Sequence, residues 1–264
     1  MMNWHEVDTY AKQWITEAGE KIRESFKEVL TIQTKSNADD LVTNMDKETE
    51  QFFIRNINHT YPSHKILGEE GFGHKLTDLE GIIWIIDPID GTMNFVHQQR
   101  NFAISVAVFE NGIGKLGYIY DVVHDELYHA IKGEGAYVND ARIPDLRDTN
   151  LSEAVIGINA TWVTENTRIN PQILAPLIKD VRGTRSYGSA ALEIAYVVTG
   201  RLDAYMTMRL SSWDFAAGIV LIEEVGGRLT NLEGKPVNLL EENSVLVAKT
   251  KIHDEIISSY ILKK

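Results

Sequence analysis

Six residues, Gly81-Ile82-Ile83-Trp84-Ile85-Ile86, run without a charged or hydrogen-bonding aliphatic side chain and end on Asp87-Pro88-Ile89-Asp90-Gly91-Thr92. An apolar stretch of this length, bounded by Gly and Pro, reads as a buried strand. A carboxylate just past such a strand sits at a sheet edge. Pro88 fixes its own φ and withholds a backbone donor, and Gly91 permits a sharp reversal, so Asp87 and Asp90 can fold back toward a common point. Anions brought that close repel one another unless something neutralises them. With Glu69 in Gly68-Glu69-Glu70 and Asp214 in Trp213-Asp214, four carboxylates stand at chain breaks in an otherwise apolar background. Such an oxygen-rich set, with positions left for phosphate oxygens, suits Mg²⁺.

At 264 residues, 44% of them apolar, the chain can bury a substantial core and has room for two closely packed lobes around one cleft. Lys and Arg number 26 against 38 Asp and Glu, a net charge of −12. That balance disfavours a nucleic-acid surface, and most of the excess belongs to an ordinary acidic exterior. The lack of cysteine excludes disulfides, thiolate metal sites and a cysteine nucleophile. The opening residues Met1-Met2-Asn3-Trp4-His5-Glu6 are polar and acidic, unlike a signal peptide, and no apolar run approaches the about 18 residues that span a bilayer. The expectation is a soluble, cytoplasmic protein with no membrane or nucleic-acid partner.

Apolar residues recur at steps of three and four from Trp4 through Trp14, Ile15, Ile22 and Phe26 to Val29, predicting one long helix over 4–30. A second helix is predicted within 40–59, capped near Asn44 or Asp46 and ended by Tyr61-Pro62-Ser63. Strand patterns over 65–68, 82–86, 102–109, 114–120 and 126–131, with turns at Asn111-Gly112 and Gly133-Glu134-Gly135, predict an antiparallel meander. The polar segment 144–150 is the best lobe boundary, separating an α+β lobe (1–143) with most of the acidic cluster from an α/β lobe (151–264) with Asp214. In the second lobe, strands over 154–158, 204–208 and 244–248 alternate with helices over 172–179, 189–198, 215–225 and 252–262.

Each motif has a plain structural reading. Asp87-Pro88-Ile89-Asp90-Gly91-Thr92 can be a proline turn with aspartates bonding their own backbone. Asp214, just before an apolar helix, can be a helix cap contributing about 1 kcal/mol. Glu69-Glu70 can be a solvated loop. The segment from Gly91 to Val96 can also start a short helix whose free N–H groups favour an anion.

In order, Gly68-Glu69-Glu70, the stretch from Trp84 to Phe95 and the stretch from Trp213 to Gly227 resemble the inositol monophosphatase family of Mg²⁺-dependent, lithium-sensitive sugar phosphatases. Lys35-Ser36, Asp40-Leu41-Val42-Thr43, Asp46 and Gly188-Ser189-Ala190-Ala191 extend the resemblance over nearly the whole chain. The resemblance implies an α-β-α-β-α layered sandwich, usually a homodimer, with a cleft between the lobes. It implies that Glu69, Asp87 and the Ile89 carbonyl hold one Mg²⁺, that Asp87, Asp90 and Asp214 hold a second, and that a weaker third lies near Glu69. The expected nucleophile is a metal-activated water oriented and deprotonated by Thr92 and Asp46, with no phosphoenzyme. Backbone N–H groups of Gly91 and Thr92 would hold the phosphate beside Ile89 and Asp90.

Gly188 and Ala190 match the family's substrate wall. Arg185 matches an arginine that faces the substrate in bacterial relatives, or else pairs with an acidic residue at a dimer interface. Seven residues before Asp214, where the animal enzymes place a hydroxyl-binding glutamate, stands Thr207. Its shorter, uncharged side chain cannot accept two hydroxyls at the same reach, which opens the way to NADP(H) or fructose 1,6-bisphosphate as alternative substrates. Other features carry little chemistry. His97, His124 and His129 lack the i, i+4 spacing of a zinc helix, Gly133-Glu134-Gly135 lacks the rest of a dinucleotide fingerprint, and Ser189 has no histidine partner in view. The expected activity is that of a phosphomonoesterase acting on inositol monophosphate or a related small phosphate. The rival from another class is a regulatory protein that keeps the metal site without the chemistry.

Overall fold

The computed structural model describes residues 2–27, 31–34 and 41–262. Helix α1 (Trp4–Ser25) follows the apolar period, burying Val7, Ala11, Trp14, Ile15, Ala18 and Ile22, and Asn3 caps it by accepting from the Glu6 N–H. Val29 and Leu30, the end of the predicted helix, lie outside the described residues. So do Lys35, Ser36 and Asp40 of the upstream motif. Strands β1 (Ile32–Thr34) and β2 (Leu41–Thr43) form a short antiparallel pair that the sequence pattern did not predict. Helix α2 (Asn44–Thr60) is capped by Thr43, one residue before the predicted start. Asp46 occupies the third helical position instead and completes a capping box, its carboxylate accepting from the Thr43 N–H and hydroxyl.

Seven strands form the larger sheet in chain order: β3 (Lys65–Gly68), β4 (Ile82–Asp90), β5 (Ala103–Glu110), β6 (Ile113–Asp121), β7 (Glu126–Ile131), β8 (Ala136–Val138) and β9 (Ala141–Arg142). Helix α3 (Thr92–Gln98) connects β4 to β5. The predicted meander holds from β4 onward, but β3 runs parallel to β4, because the long connection between them crosses over where a hairpin would turn back. Strand β4 also runs further than predicted. Asp87 and Asp90 both pair with β5, across a register shift where Pro88 has no donor to offer.

Side chains alternate across β4 and both sets are buried. Trp84 and Ile86 join Trp14, Ile22 and Phe53 beneath α1 and α2, while Ile83 and Ile85 face the opposite layer. That layer consists of α5 (Ala190–Val198) and α6 (Ser212–Glu224), buried almost all round because a sheet covers each side of it. The second sheet has the order β11 (Gly183–Arg185), β10 (Val155–Ile158), β12 (Ala204–Leu210), β14 (Asn243–Lys249) and β13 (Gly227–Thr230). It mixes parallel and antiparallel pairs. Helices α4 (Pro171–Asp180) and α7 (Thr250–Ile256) cover its outer face through Leu174, Leu177, Ile252 and Ile256. The result is the α-β-α-β-α stack. Glycines let α6 lie close on both sides: a Cβ on Gly117 of β6 would meet the Ala217 carbonyl oxygen at 2.6 Å, and one on Gly218 would meet Ile194 Cγ2 at 2.5 Å. Among the described residues no helix is long and apolar enough to cross a membrane.

Candidate active site

The end of β4 and the first turn of α6 bring three carboxylates together. Asp87, Asp90 and Asp214 each offer an oxygen within 4.8 Å of the others, and no other cluster of three metal-capable side chains occurs among the described residues. Each is anchored by backbone or side-chain donors. Asp87 Oδ1 accepts from the Ile89 N–H at 3.0 Å, Asp214 Oδ2 accepts from the Ser211 N–H at 2.8 Å, and Asp90 Oδ2 accepts from the Ser189 hydroxyl and the Ala191 N–H at the start of α5. A carboxylate has two oxygens, so each can be held by one and keep the other for the shared space. The helix-cap reading of Asp214 and its place in the cluster are therefore both realised.

Burial, and then the charges of Glu69, Asp90 and Asp214, push the Asp87 carboxyl well above its ordinary range. Burial and then Asp90 and Glu69 do the same to Asp214, and Asp90 is pushed up to about 6 mainly by burial. Mutually repelling carboxylates with hard oxygen donors fit a small divalent ion such as Mg²⁺.

Glu69 stands beside this group as a charged, hydrogen-bonding neighbour of Asp87 and is outside the tightest trio. Its backbone N–H donates to Ile86 at 3.2 Å. The loop that carries it is fixed by Glu50, a residue sequence reading overlooked. This buried carboxylate accepts from the N–H groups of Glu70 (2.7 Å) and Phe72 (2.9 Å). Gly68 makes room for it, since a Cβ there would meet the Glu50 carboxyl carbon at 2.5 Å.

On the other side, the Thr92 hydroxyl lies 3.0 Å from Asp46 Oδ1 and 3.1 Å from the Ile89 carbonyl oxygen, with both acceptors buried. Burial foremost raises the Asp46 carboxyl. Gly91 adopts φ +93°, which an L side chain rarely tolerates, and starts α3 where Gly188 and Ser189 close in.

A cavity of 510 Å³ opens from Asp90 and Asp214 past Gly188 and Ala190 toward Trp162, Thr207 and Arg209. Arg185 does not line it; this residue is exposed and donates to the Thr184 carbonyl. Trp162, Arg209 and Glu193 escaped sequence reading, because nothing local distinguishes them from core or surface residues. Glu193 is buried at the cavity floor. Its Oε1 accepts from the Tyr187 N–H at 2.8 Å and the Gly188 N–H at 3.3 Å, while Oε2, which has no hydrogen-bond partner among the described residues, lies against Gly157. Burial above all raises its pKa to about 7.

Glu193 thus contributes stability that is present below pH 4.5, its ordinary value, and lost as pH rises through about 7. In Glu193→Gln, which keeps an acceptor for both N–H groups, stability relative to wild type is expected to rise by up to about 3 kcal/mol between pH 5 and 9. Melting curves across that range check it; parallel curves contradict it.

The tempting residues have ordinary roles. His124 pairs with Asp121 at 2.9 Å, the N–H groups of Gly133 and Gly135 bond Glu224, and Ser189 caps α5.

The model of the inositol monophosphatase family matches residues 3–262. The chain belongs to the inositol monophosphatase family. It is 63% identical over 261 residues to the inositol-1-monophosphatase of Bacillus subtilis, covering 99% of this chain and 98% of that one. Inositol monophosphatase-II of Staphylococcus aureus has been solved with inositol monophosphate (TM-score 0.88, 44% identity, 97% and 93% of the two chains) and with 2′-AMP (TM-score 0.89, 45%, 97% and 94%). A staphylococcal inositol monophosphatase-1, solved as a LiCl-soaked inhibitory complex, superposes with TM-score 0.90 at 30% identity, covering 97% and 95%. As a member of this lithium-sensitive inositol monophosphatase family, the chain is a Mg²⁺-dependent phosphoric monoester hydrolase. That sets aside the reading of a regulatory protein without chemistry.

Proposed function

We propose that this enzyme hydrolyses inositol monophosphate or a related small phosphate monoester in the cavity beside Asp90 and Asp214. The observation that carries the reading is the convergence of buried Asp87 and Asp90 with half-buried Asp214, each offering an oxygen within 4.8 Å of the others. In this reading, Glu69, Asp87, the Ile89 carbonyl, Asp90 and Asp214 hold two to three Mg²⁺. Bound Mg²⁺ supplies Lewis-acid polarisation of the phosphoryl group and lowers the pKa of water.

The chain's own groups do the rest. Thr92 donates to Asp46, which leaves its hydroxyl oxygen able to accept a hydrogen from the attacking water. Asp46, its proton affinity raised by burial, is the terminal proton acceptor through Thr92. The N–H groups of Gly91 and Thr92 hold the phosphate, and Gly188 and Ala190 flank the alcohol. Lobe 1–143 supplies the water-activating pair and most metal ligands, and lobe 151–264 supplies Asp214 and the wall. The working form is a cytoplasmic homodimer, in which Arg185 serves the interface or the outer rim.

One observation favours a wider substrate range. The 510 Å³ cavity extends well beyond the carboxylates, and Thr207 is already engaged by Trp162. NADP(H) or fructose 1,6-bisphosphate would then be the second substrate class. Released orthophosphate, measured at fixed Mg²⁺ across inositol 1-phosphate, NADP and fructose 1,6-bisphosphate, tests the proposal. Rapid turnover of NADP with none of inositol 1-phosphate would reverse the order of substrates, and no turnover of any ester would end the reading.

A further inference from the structure

Asn94 stands on α3 two residues past Thr92 and is buried. Its amide Nδ2 donates at 2.7 Å to the Asn101 carbonyl, in the turn that leads to β5, and at 2.7 Å to the Tyr187 carbonyl, just before α5. Its Oδ1 accepts from Gln98 at 3.1 Å, so both amide hydrogens and the amide oxygen are engaged. The Tyr187 carbonyl and the Gly188 N–H belong to one peptide group, and Glu193 Oε1 accepts from that N–H at 3.3 Å. A single peptide plane is thus gripped on its oxygen by α3 and on its nitrogen by α5. That plane carries the cavity wall. Gly188, with φ +78°, is exposed to the cavity, and a Cβ on it would stand 3.0 Å from Asn94 Nδ2. The wall and the turn at Gly91 approach just as closely, since a Cβ on Gly91 would meet the Gly188 carbonyl oxygen at 3.1 Å and Ser189 Cβ at 3.2 Å.

We propose that Asn94 is a positioning residue for the ester: by tying the Tyr187–Gly188 peptide to α3, it sets the gap between the Gly91–Thr92 turn that takes the phosphate and the Gly188–Ala190 wall that flanks the alcohol. The inference rests on the phosphatase reading and deepens it. The two halves of one substrate are held by segments that meet through this side chain, so their spacing is fixed before the ester arrives. Without the amide, the Tyr187 carbonyl loses its donor and regains one only by turning toward water, which carries Gly188 with it. Asp87, Asp214 and Thr92 are anchored through Ile89, Ser211 and Asp46 instead. Asp90 is held by Ser189 and Ala191, beyond the gripped peptide, so its share of the metal seat is kept out of the comparison by saturating Mg²⁺.

The experiment compares inositol 1-phosphate, which spans the turn and the wall, with inorganic phosphate, which needs the turn alone. Asn94→Ala is expected to raise KM for inositol 1-phosphate about tenfold, with kcat changed less than about threefold and the competitive inhibition constant of inorganic phosphate less than about twofold. Asn94→Asp keeps the shape but, when ionised, has no hydrogen to donate, and is expected to raise the same KM as far. A merely structural role would lower the melting temperature and leave the ratio of the two constants at its wild-type value. Equal changes for ester and phosphate, or wild-type constants in both variants, overturn the proposal. If the wild type leaves inositol 1-phosphate intact, the phosphatase reading fails for that ester, and calorimetric binding of the intact ester beside inorganic phosphate decides the positioning role; a wild type that does not bind the ester overturns it. Melting curves identify a variant that has lost its fold. Gly188→Ala, whose methyl would press on the same amide from the wall, then provides the test, with the same rise in the ratio expected.

Discussion

Asp214→Asn is expected to lower kcat/KM for the best phosphate ester by about 10³-fold or more, while the metal-free protein melts higher than wild type. The two effects have one cause. Asparagine can still accept the Ser211 N–H that caps α6, so the helix start is retained. One of three crowded anions is gone, and with it part of the repulsion that holds the Asp87 and Asp90 carboxyls above their ordinary range. A relief of about 1 kcal/mol would raise the melting temperature by about 2–4 °C in a chain of this size. The gain from Mg²⁺, about 2.7 kcal/mol in wild type at a hundredfold excess over Kd, should largely vanish.

The same electrostatics set a pH signature in wild type. Carboxyls with raised pKa contribute stability that is present below about pH 3.9 and lost as pH rises through the raised values, about 6 for Asp90. The Mg²⁺-induced rise in melting temperature should therefore grow between pH 5 and 8. Melting scans with and without Mg²⁺, beside phosphate release, check all of this. A variant with wild-type activity and an unchanged Mg²⁺ response would remove Asp214 from the centre.

Thr92→Ala is expected to reduce kcat by about 10²–10⁴-fold with a smaller change in KM, and Thr92→Ser to recover most of the rate. The hydroxyl of Thr92 donates to Asp46 at 3.0 Å, and serine retains it. Asp46→Asn should lower kcat over the same range, since an amide has no use for the proton passed through Thr92. Asp46→Ala should do the same and also destabilise α2 by about 1 kcal/mol, because it removes the acceptor that completes the capping box with Thr43. Thr92→Ala lacks that second effect, so the pair of variants separates proton handling from helix support. Unchanged kcat in Thr92→Ala would exclude the proton route.

The strongest apolar period and the clearest turn signals located most elements of the fold. The apolar run into Asp87 marked β4, and the steps of three and four marked α1, because burial writes itself into a sequence as a repeat. Short edge strands such as β11, with no apolar run of their own, left no such trace, since they form through pairing with β10. Parallel pairing of β3 with β4 was hidden too, because direction depends on the path of the connection. At the site, Asp214 and Asp46 looked like capping residues, and both are; a carboxylate's second oxygen lets one side chain serve the helix and the cluster together. Glu50, Glu193 and Trp162 act through partners twenty or more residues distant, or through a fold-dependent close contact, and a single sequence carries no local mark of either.

The missing methyl at Gly117 has a longer reach than its own strand. A side chain there would strike the backbone of α6 at Ala217, one turn past Asp214, and a main-chain oxygen cannot swing aside as a rotamer can. The whole rod would have to ride outward, taking its aspartate with it and leaving the two on β4 behind. The gauge of the cation seat is thus set by a hydrogen atom on a neighbouring sheet, and enlarging that residue would register first as a poorer grip on magnesium, ahead of any visible disorder.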